Sequence, residues 1–132
     1  MSDVTIDLVP LQTIFSRADS PSVRGVKLVA TGTDKDFKRG QMLFKNTAGD
    51  FSNKYSTTYN TFAGICINDY KVKNGNEQNV DLYTGGFFLG KVVFDLQTAE
   101  TQTHLTTYAT AQGAVTPYTM QYEKTINFEI SH

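Results

Sequence analysis

Apolar residues along this chain recur mainly at every second position, in short runs interrupted by Gly, Asn, Asp and Ser, and a period of two predicts strands. Val4, Ile6 and Leu8 alternate with Thr5 and Asp7 until Pro10 stops the pattern. Leu11, Ile14 and Phe15 follow at a spacing that suits one helical turn or a docked loop. Residues 23–31, VRGVKLVAT, are the next strand; a polar turn at residues 32–36 closes it, and residues 40–45 form another. The richest stretch is residues 62–96. Ala63-Gly64-Ile65-Cys66-Ile67 has the small-then-branched composition that fills a tight sheet, an Asn74-Gly75 turn follows, and Val80 and Leu82 alternate with Asp81 and Tyr83. Gly85-Gly86 then marks a bulge, a bend or a close backbone approach, after which Phe88, Val92 and Phe94 resume an alternation through Gly90. Ile65, Ile67, Leu82, Phe88, Val92 and Phe94 are the predicted core. At the C-terminal end, Ile126, Phe128 and Ile130 alternate with Thr125, Asn127 and Glu129, a strand with one buried side.

The period changes once. From Thr98, a residue type suited to an N-cap, Leu105, Tyr108 and Ala109 share a helical face, Glu100 in the first turn complements the helix dipole, and Gly113 supplies the stop. So many threonines make a poor autonomous helix, so packing must hold it. Residues 46–60 read as a long surface excursion whose aromatics, Phe51, Tyr55 and Tyr59, either pin it to its own domain or face another subunit.

The fold class expected is therefore mainly β: a small curved, barrel-like sheet with one short helix. An N-terminal arm, residues 1–22, precedes a single β-rich domain, residues 23–132. At 132 residues and 39% hydrophobic content the chain is sized to bury one core without staples. Cys66, the one cysteine, excludes an internal disulfide framework. Residues 1–20 carry Asp3, Asp7 and Asp19 with no basic start and no apolar run, so no signal peptide is expected, and no run is long enough to span a membrane. A formal net charge of −1 gives no overall attraction to nucleic acid, and Lys35, Lys38, Arg39 and Lys45 read as a solvated strand edge.

Candidate chemistry is sparse. Residues 85–92 imitate the GxxxxGK spacing of a phosphate-binding loop, but Val92 stands where a magnesium-binding hydroxyl is needed, and Phe87, Phe88 and Leu89 are bulky where backbone must approach phosphate. His104, one turn after Glu100, reads as part of a solvated helix face; neither it nor His132 has ligand partners at zinc spacing. Cys66, between Ile65 and Ile67, reads as an inert small hydrophobe, and Asp34 and Asp36 as turn-shaping groups without the rest of a calcium loop. No catalytic residue, cofactor or metal is expected, and the chain does not read as an enzyme.

The order of elements over residues 37–115 resembles the lambda-type head decoration proteins of tailed bacteriophages. The resemblance is carried by Lys38-Arg39-Gly40-Gln41-Met42-Leu43 as the turn and strand that begin the barrel, the Gly64-Ile65 strand, the polar turn, the Tyr83-Thr84-Gly85-Gly86-Phe87 step, and a run into Asp95 and a Thr-rich segment. It implies a capsid-stabilising protein on the outer surface of the expanded head within the virion, a homotrimer bound to the major capsid protein and clamping neighbouring capsid subunits. It also implies an N-terminal arm that adds to a capsid sheet, here Val4, Thr5, Ile6, Asp7, Leu8 and Val9, with Phe51, Tyr55 and Tyr59 as candidate subunit contacts. The strict alternation in this arm and the extension over residues 118–132 depart from the family pattern. Two other classes remain open: another virion module, such as a head-fibre base, tail or baseplate component, and a small β-barrel ligand-binding module or an unrecognised enzyme.

Overall fold

The structure is a computed structural model in which residues 13–130 are described. It is mostly β, with a curled sheet and two helices. In chain order the elements are β1 (Ser22–Val29), β2 (Lys35–Phe37), β3 (Met42–Lys45), β4 (Phe51–Ser52), β5 (Thr61–Cys66), β6 (Tyr70–Val72), β7 (Glu77–Leu89), α1 (Gly90–Asp95), α2 (Ala99–Ala111), β8 (Met120–Tyr122) and β9 (Ile126–Glu129).

β7, thirteen residues long, is the spine. Its first part pairs antiparallel with β1 along one edge, from Val29↔Glu77 to Ser22↔Gly85, and with β5 at Ile65↔Tyr83 and Cys66↔Leu82. From Gly86 onward it pairs instead with β9, in parallel, through Gly86↔Ile126 to Leu89↔Glu129. The glycine pair predicted to bend the sheet is thus where one strand passes between two sets of neighbours. Gly86 adopts φ 143°, a conformation open to glycine, and a Cβ there would press on Pro21 and the Phe88 ring at 3.2 and 3.3 Å.

Alternation along the strands divides the apolar residues between two cores. Leu28, Leu43, Cys66, Val80 and Leu82 point into the concave side of the curl, where β4 and the separate β2–β6 pair close over them with Phe51, Phe37, Tyr70 and Val72. Met42, Phe44, Ile65 and Phe88 point the other way, against α1, α2, β8 and β9, and meet Val93, Leu105, Tyr122, Ile126 and Phe128. The curl is therefore filled by its own side chains.

Several expectations are corrected. Val92 and Phe94 lie on a second helix, α1, not on a strand, and both are half-buried while Val93 is the fully buried member. The helix begins at Gly90, where the chain passes so close to Tyr118 that a Cβ would lie 2.0 Å from its carbonyl oxygen, a position that only glycine can occupy. Ile67 is only half-buried, and Ile130, one residue past β9, is 75% exposed. α2 follows the reading closely: the Thr98 hydroxyl accepts from the Thr101 N–H at 3.3 Å, and Gly113 takes φ 79° after the last turn. One buried amide ties the helices to the sheet. Gln97 donates to the carbonyls of Gly40 and Val93, both at 2.8 Å, and accepts from the Met42 N–H at 2.8 Å.

Truncating Phe88 to Ala is expected to cost about 3–5 kcal/mol, whereas Phe94→Ala, at a half-buried helical site, should cost clearly less. Urea midpoints of the two variants measure this, and equal losses would contradict the strand-to-helix boundary at Gly90.

Candidate interaction surface

The residues that sequence reading weighed for chemistry are not brought together. Cys66 is fully buried, and burial pushes its thiol up to about 12, so it stays protonated. Gly90, the second glycine of the phosphate-loop imitation, is occupied by its close approach to Tyr118. Asp34 and Asn74 join two turns: Asp34 accepts from the Asn74 N–H at 2.7 Å, and the Asn74 side chain accepts from the Gly32 N–H at 2.8 Å. Asp36 pairs with Lys38 at 3.4 Å. Among the described residues no group of His, Cys, Asp and Glu is arranged to hold a metal ion, and no helix is long and apolar enough to cross a membrane.

His104 is the main surprise. It is half-buried rather than solvated, stacked on Tyr55 with ring centroids 3.5 Å apart and sharing a 2.8 Å hydrogen bond with the Tyr122 hydroxyl. Phe44, Tyr108 and Tyr122 present their rings around it. Burial holds its pKa below the ordinary value and pushes that of Tyr122 up. Helical periodicity alone carried no signal of this, because Tyr55 comes from the distant excursion.

That excursion, residues 46–60, is stitched to its own domain. Phe51 is buried in the concave core. The Tyr59 hydroxyl donates to Asp50 at 2.9 Å, and Lys35 pairs with the same carboxylate at 3.2 Å while donating to the Phe51 carbonyl at 3.0 Å. Burial works to raise the Asp50 pKa, but the hydrogen bonds from Tyr59 and Lys35 outweigh it and leave the carboxyl below its usual range. Thr101 donates to the Asn53 carbonyl at 2.9 Å and accepts from the Tyr55 N–H at 3.1 Å. Of the three candidate subunit contacts, only the half-buried rings of Tyr55 and Tyr59 retain exposed surface. Lys35 and Lys38 are neutralised locally, so the expected basic edge is reduced.

Among the described residues, the edge with unpaired main-chain groups lies at the other side of β7. The chain enters along that strand: Ile14 is fully buried and accepts from the Leu89 N–H at 2.8 Å, and Ser16 donates its N–H to the Phe87 carbonyl at 3.2 Å. Arg17 and Ser16 then clasp Glu129 of β9; the hydrogen bond from Arg17 holds the Glu129 carboxyl below its ordinary range and raises the guanidinium. The six arm residues Val4, Thr5, Ile6, Asp7, Leu8 and Val9 lie outside the described residues.

β1 continues the same edge, and its other side has no partner strand among the described residues. Two anchors fix which main-chain groups face outward. Ala30 donates to the Asn76 carbonyl at 3.0 Å, and Cys66 donates to Gln41 beside β3 at 2.8 Å, which turns Ile65 and Tyr83 toward each other. Counting in twos from either anchor directs Arg24, Val26 and Leu28 to β7, and Val23, Gly25, Lys27 and Val29 away from it.

No protein-family model, curated protein or solved structure matches this chain.

The geometry by itself therefore assigns a surface, not a reaction. Val23 and Val29, 51% and 40% exposed, sit on the outward-bonding positions of an eight-residue edge strand. An edge of that length is a template for another strand unless something covers it.

Burial of neutral His104 sets a pH dependence. As pH falls through about 6.5, the unfolded chain takes up a proton at His104 that the folded chain resists, so stability is expected to drop as pH falls through that value and to level off only below the lower folded-state one. Asp50 and Glu129, held below the ordinary carboxylate range, keep their contribution through this window and lose it only as pH falls through their lower folded-state values. Urea midpoints across the upper window should show the slope in the parent and its near disappearance in His104→Gln; an unchanged slope in the variant would contradict the assignment.

Proposed function

We propose that this protein is a capsid decoration protein of a tailed bacteriophage, which binds the outer surface of the expanded head and stabilises it by clamping neighbouring capsid subunits. The observation that carries the reading is the ordered series from the Lys38–Leu43 turn and strand through Gly64-Ile65 and the Gly85-Gly86 step, laid on a small curled sheet whose interior is filled by Leu28, Leu43, Cys66 and Leu82. A filled barrel with a long open edge suits a part that works by surface contact. The major capsid protein is the proposed partner, the assembly a homotrimer, and residues 4–9 the segment that adds to a capsid sheet, with Val4, Ile6 and Leu8 filling alternate pockets. Repeated placement on an icosahedral shell rewards linked weak contacts, which gain about 10²-fold or more in effective binding.

A second reading, a small ligand-binding module, draws on one feature. Tyr55, Ser56, Thr57, Glu100, Thr103, His104 and Thr107 line an open recess of about 490 Å³. It lies on the outside of the fold, over the stacked Tyr55 and His104 rings, where aromatic faces and hydroxyls meet.

Full-length protein mixed with expanded and unexpanded phage heads that lack their own decoration protein tests the first reading. Cosedimentation with expanded heads only is expected, and Ile6→Lys should weaken it about tenfold or more by placing a charge in an apolar pocket. Equal binding to both forms, or indifference to Ile6→Lys, would contradict it.

A further inference from the structure

The edge of β1 borders a recess. Arg24, Gly25 and Val26 form one wall, and Lys45, Phe51, Phe62 and Ala63 of β3, β4 and β5 form the other, enclosing about 130 Å³. It is the gap in the curl, where β1 and β4 approach without pairing. The lining is mixed: Val26, Phe51, Phe62 and Ala63 contribute apolar surface, and polar atoms make up the larger share. Around it the edge is basic: Arg24, Lys27 and Lys45 are all exposed, and Lys27 makes a 3.6 Å surface pair with Glu77.

The segment preceding Thr13 has the complementary chemistry. Residues 1–12 contain Asp3 and Asp7, no Lys or Arg, and the Val4, Ile6, Leu8 alternation. We infer that, off the shell, residues 4–9 of one copy add to the outward edge of β1 in a second copy, with Ile6 directed into the recess and Asp7 beside Lys27. The parity is consistent. On β1, Val26 lines the recess side and Lys27 the opposite face, as Ile6 and Asp7 must face opposite sides of an added strand. The outward N–H and C=O groups of Val23, Gly25, Lys27 and Val29 supply the ladder, and β-addition satisfies them.

Reach selects a second copy over the same chain. The chain runs antiparallel to β7 there, so at Thr13 it heads past Leu89 and away from Gly25 and Lys27, which lie opposite Asp81 and Asn79, eight and ten residues back along a strand that bends at Gly85-Gly86. Ile6 is separated from Thr13 by a length that spans at most about 23–25 Å when fully extended, before any reversal of direction. The contact is heterologous, arm to edge, so it propagates around a ring or along a filament. That residues 4–9 leave this edge on the shell rests on the proposed function, in which the same segment is the shell contact; the docking itself needs no shell.

Sedimentation velocity on full-length protein, without capsids, from micromolar to sub-millimolar concentration is the test. Concentration-dependent self-association is expected. Lys27→Glu should weaken it about tenfold or more, and adding Asp7→Lys should restore it by exchanging the signs. Should the reversed edge impair folding, as read by circular dichroism, Asp7→Lys in the parent is expected to dissociate the assembly by itself. A parent that stays monomeric throughout, an assembly indifferent to both reversals, or a sign exchange that fails to restore it would overturn the inference. Failure to bind heads, with self-association intact, would count against the shell reading alone.

Discussion

The continuity of β7 across Gly85-Gly86 is the constraint on which the rest of the molecule depends. One strand serves as wall for both cores: Val80 and Leu82 face the concave core, and Phe88, beyond the glycine pair, anchors the core under the helices. Because neighbours change at that step, β1 and β5 need not run the length of the sheet, and β9 enters in parallel where they leave off. A side chain at Gly86 would meet Pro21 and Phe88, so the same position also sets how the entering chain lies against the spine.

Closure around that spine is incomplete in a specific way. The β2–β6 pair, held by the Asn74 bonds to Asp34 and Gly32 and by Tyr70, whose hydroxyl donates to the Asp81 carbonyl at 2.6 Å, caps one side of the curl. The excursion caps another through Asp50, Tyr59 and Thr101. Between β1 and β4 nothing among the described residues pairs the edges. A natural sheet usually protects such an edge with charge, a bulge or a cover, and here Lys27 and Arg24 supply charge while Val23 and Val29 remain exposed. That combination discourages indiscriminate pairing yet leaves room for a segment of opposite sign and alternating apolar character.

What the sequence disclosed, it disclosed through short-range chemistry. Thr98 and Gly113 bounded α2 because capping and left-handed backbone are local requirements, and the Gly85-Gly86 break was visible because few other reasons place two glycines in an alternating strand. Period-two alternation misassigned residues 90–95, since a six-residue helix is too short to display its own period and Val92 and Phe94 mimic a strand through Gly90. His104 looked solvated because the rings that bury it come from Tyr55 and Tyr122, far away in the chain. Ile14 fits the docked-loop alternative, and its bond to Leu89 could not be read without the fold. The recess beside β1 had no sequence signature at all, being made by curvature that brings Val26 near Phe51 and Ala63.

The open edge as a site for an added strand is the central claim, and residue-resolved amide hydrogen exchange tests it most directly. In dilute full-length protein the N–H groups of Arg24, Val26 and Leu28, turned toward β7, should exchange slowly, and those of Val23, Gly25, Lys27 and Val29 quickly, giving an alternation along one strand. The account expects this alternation to vanish as concentration rises, with the outward amides becoming as protected as the inward ones. Outward amides that exchange quickly at every concentration, or that are already protected in a demonstrated monomer, would contradict it.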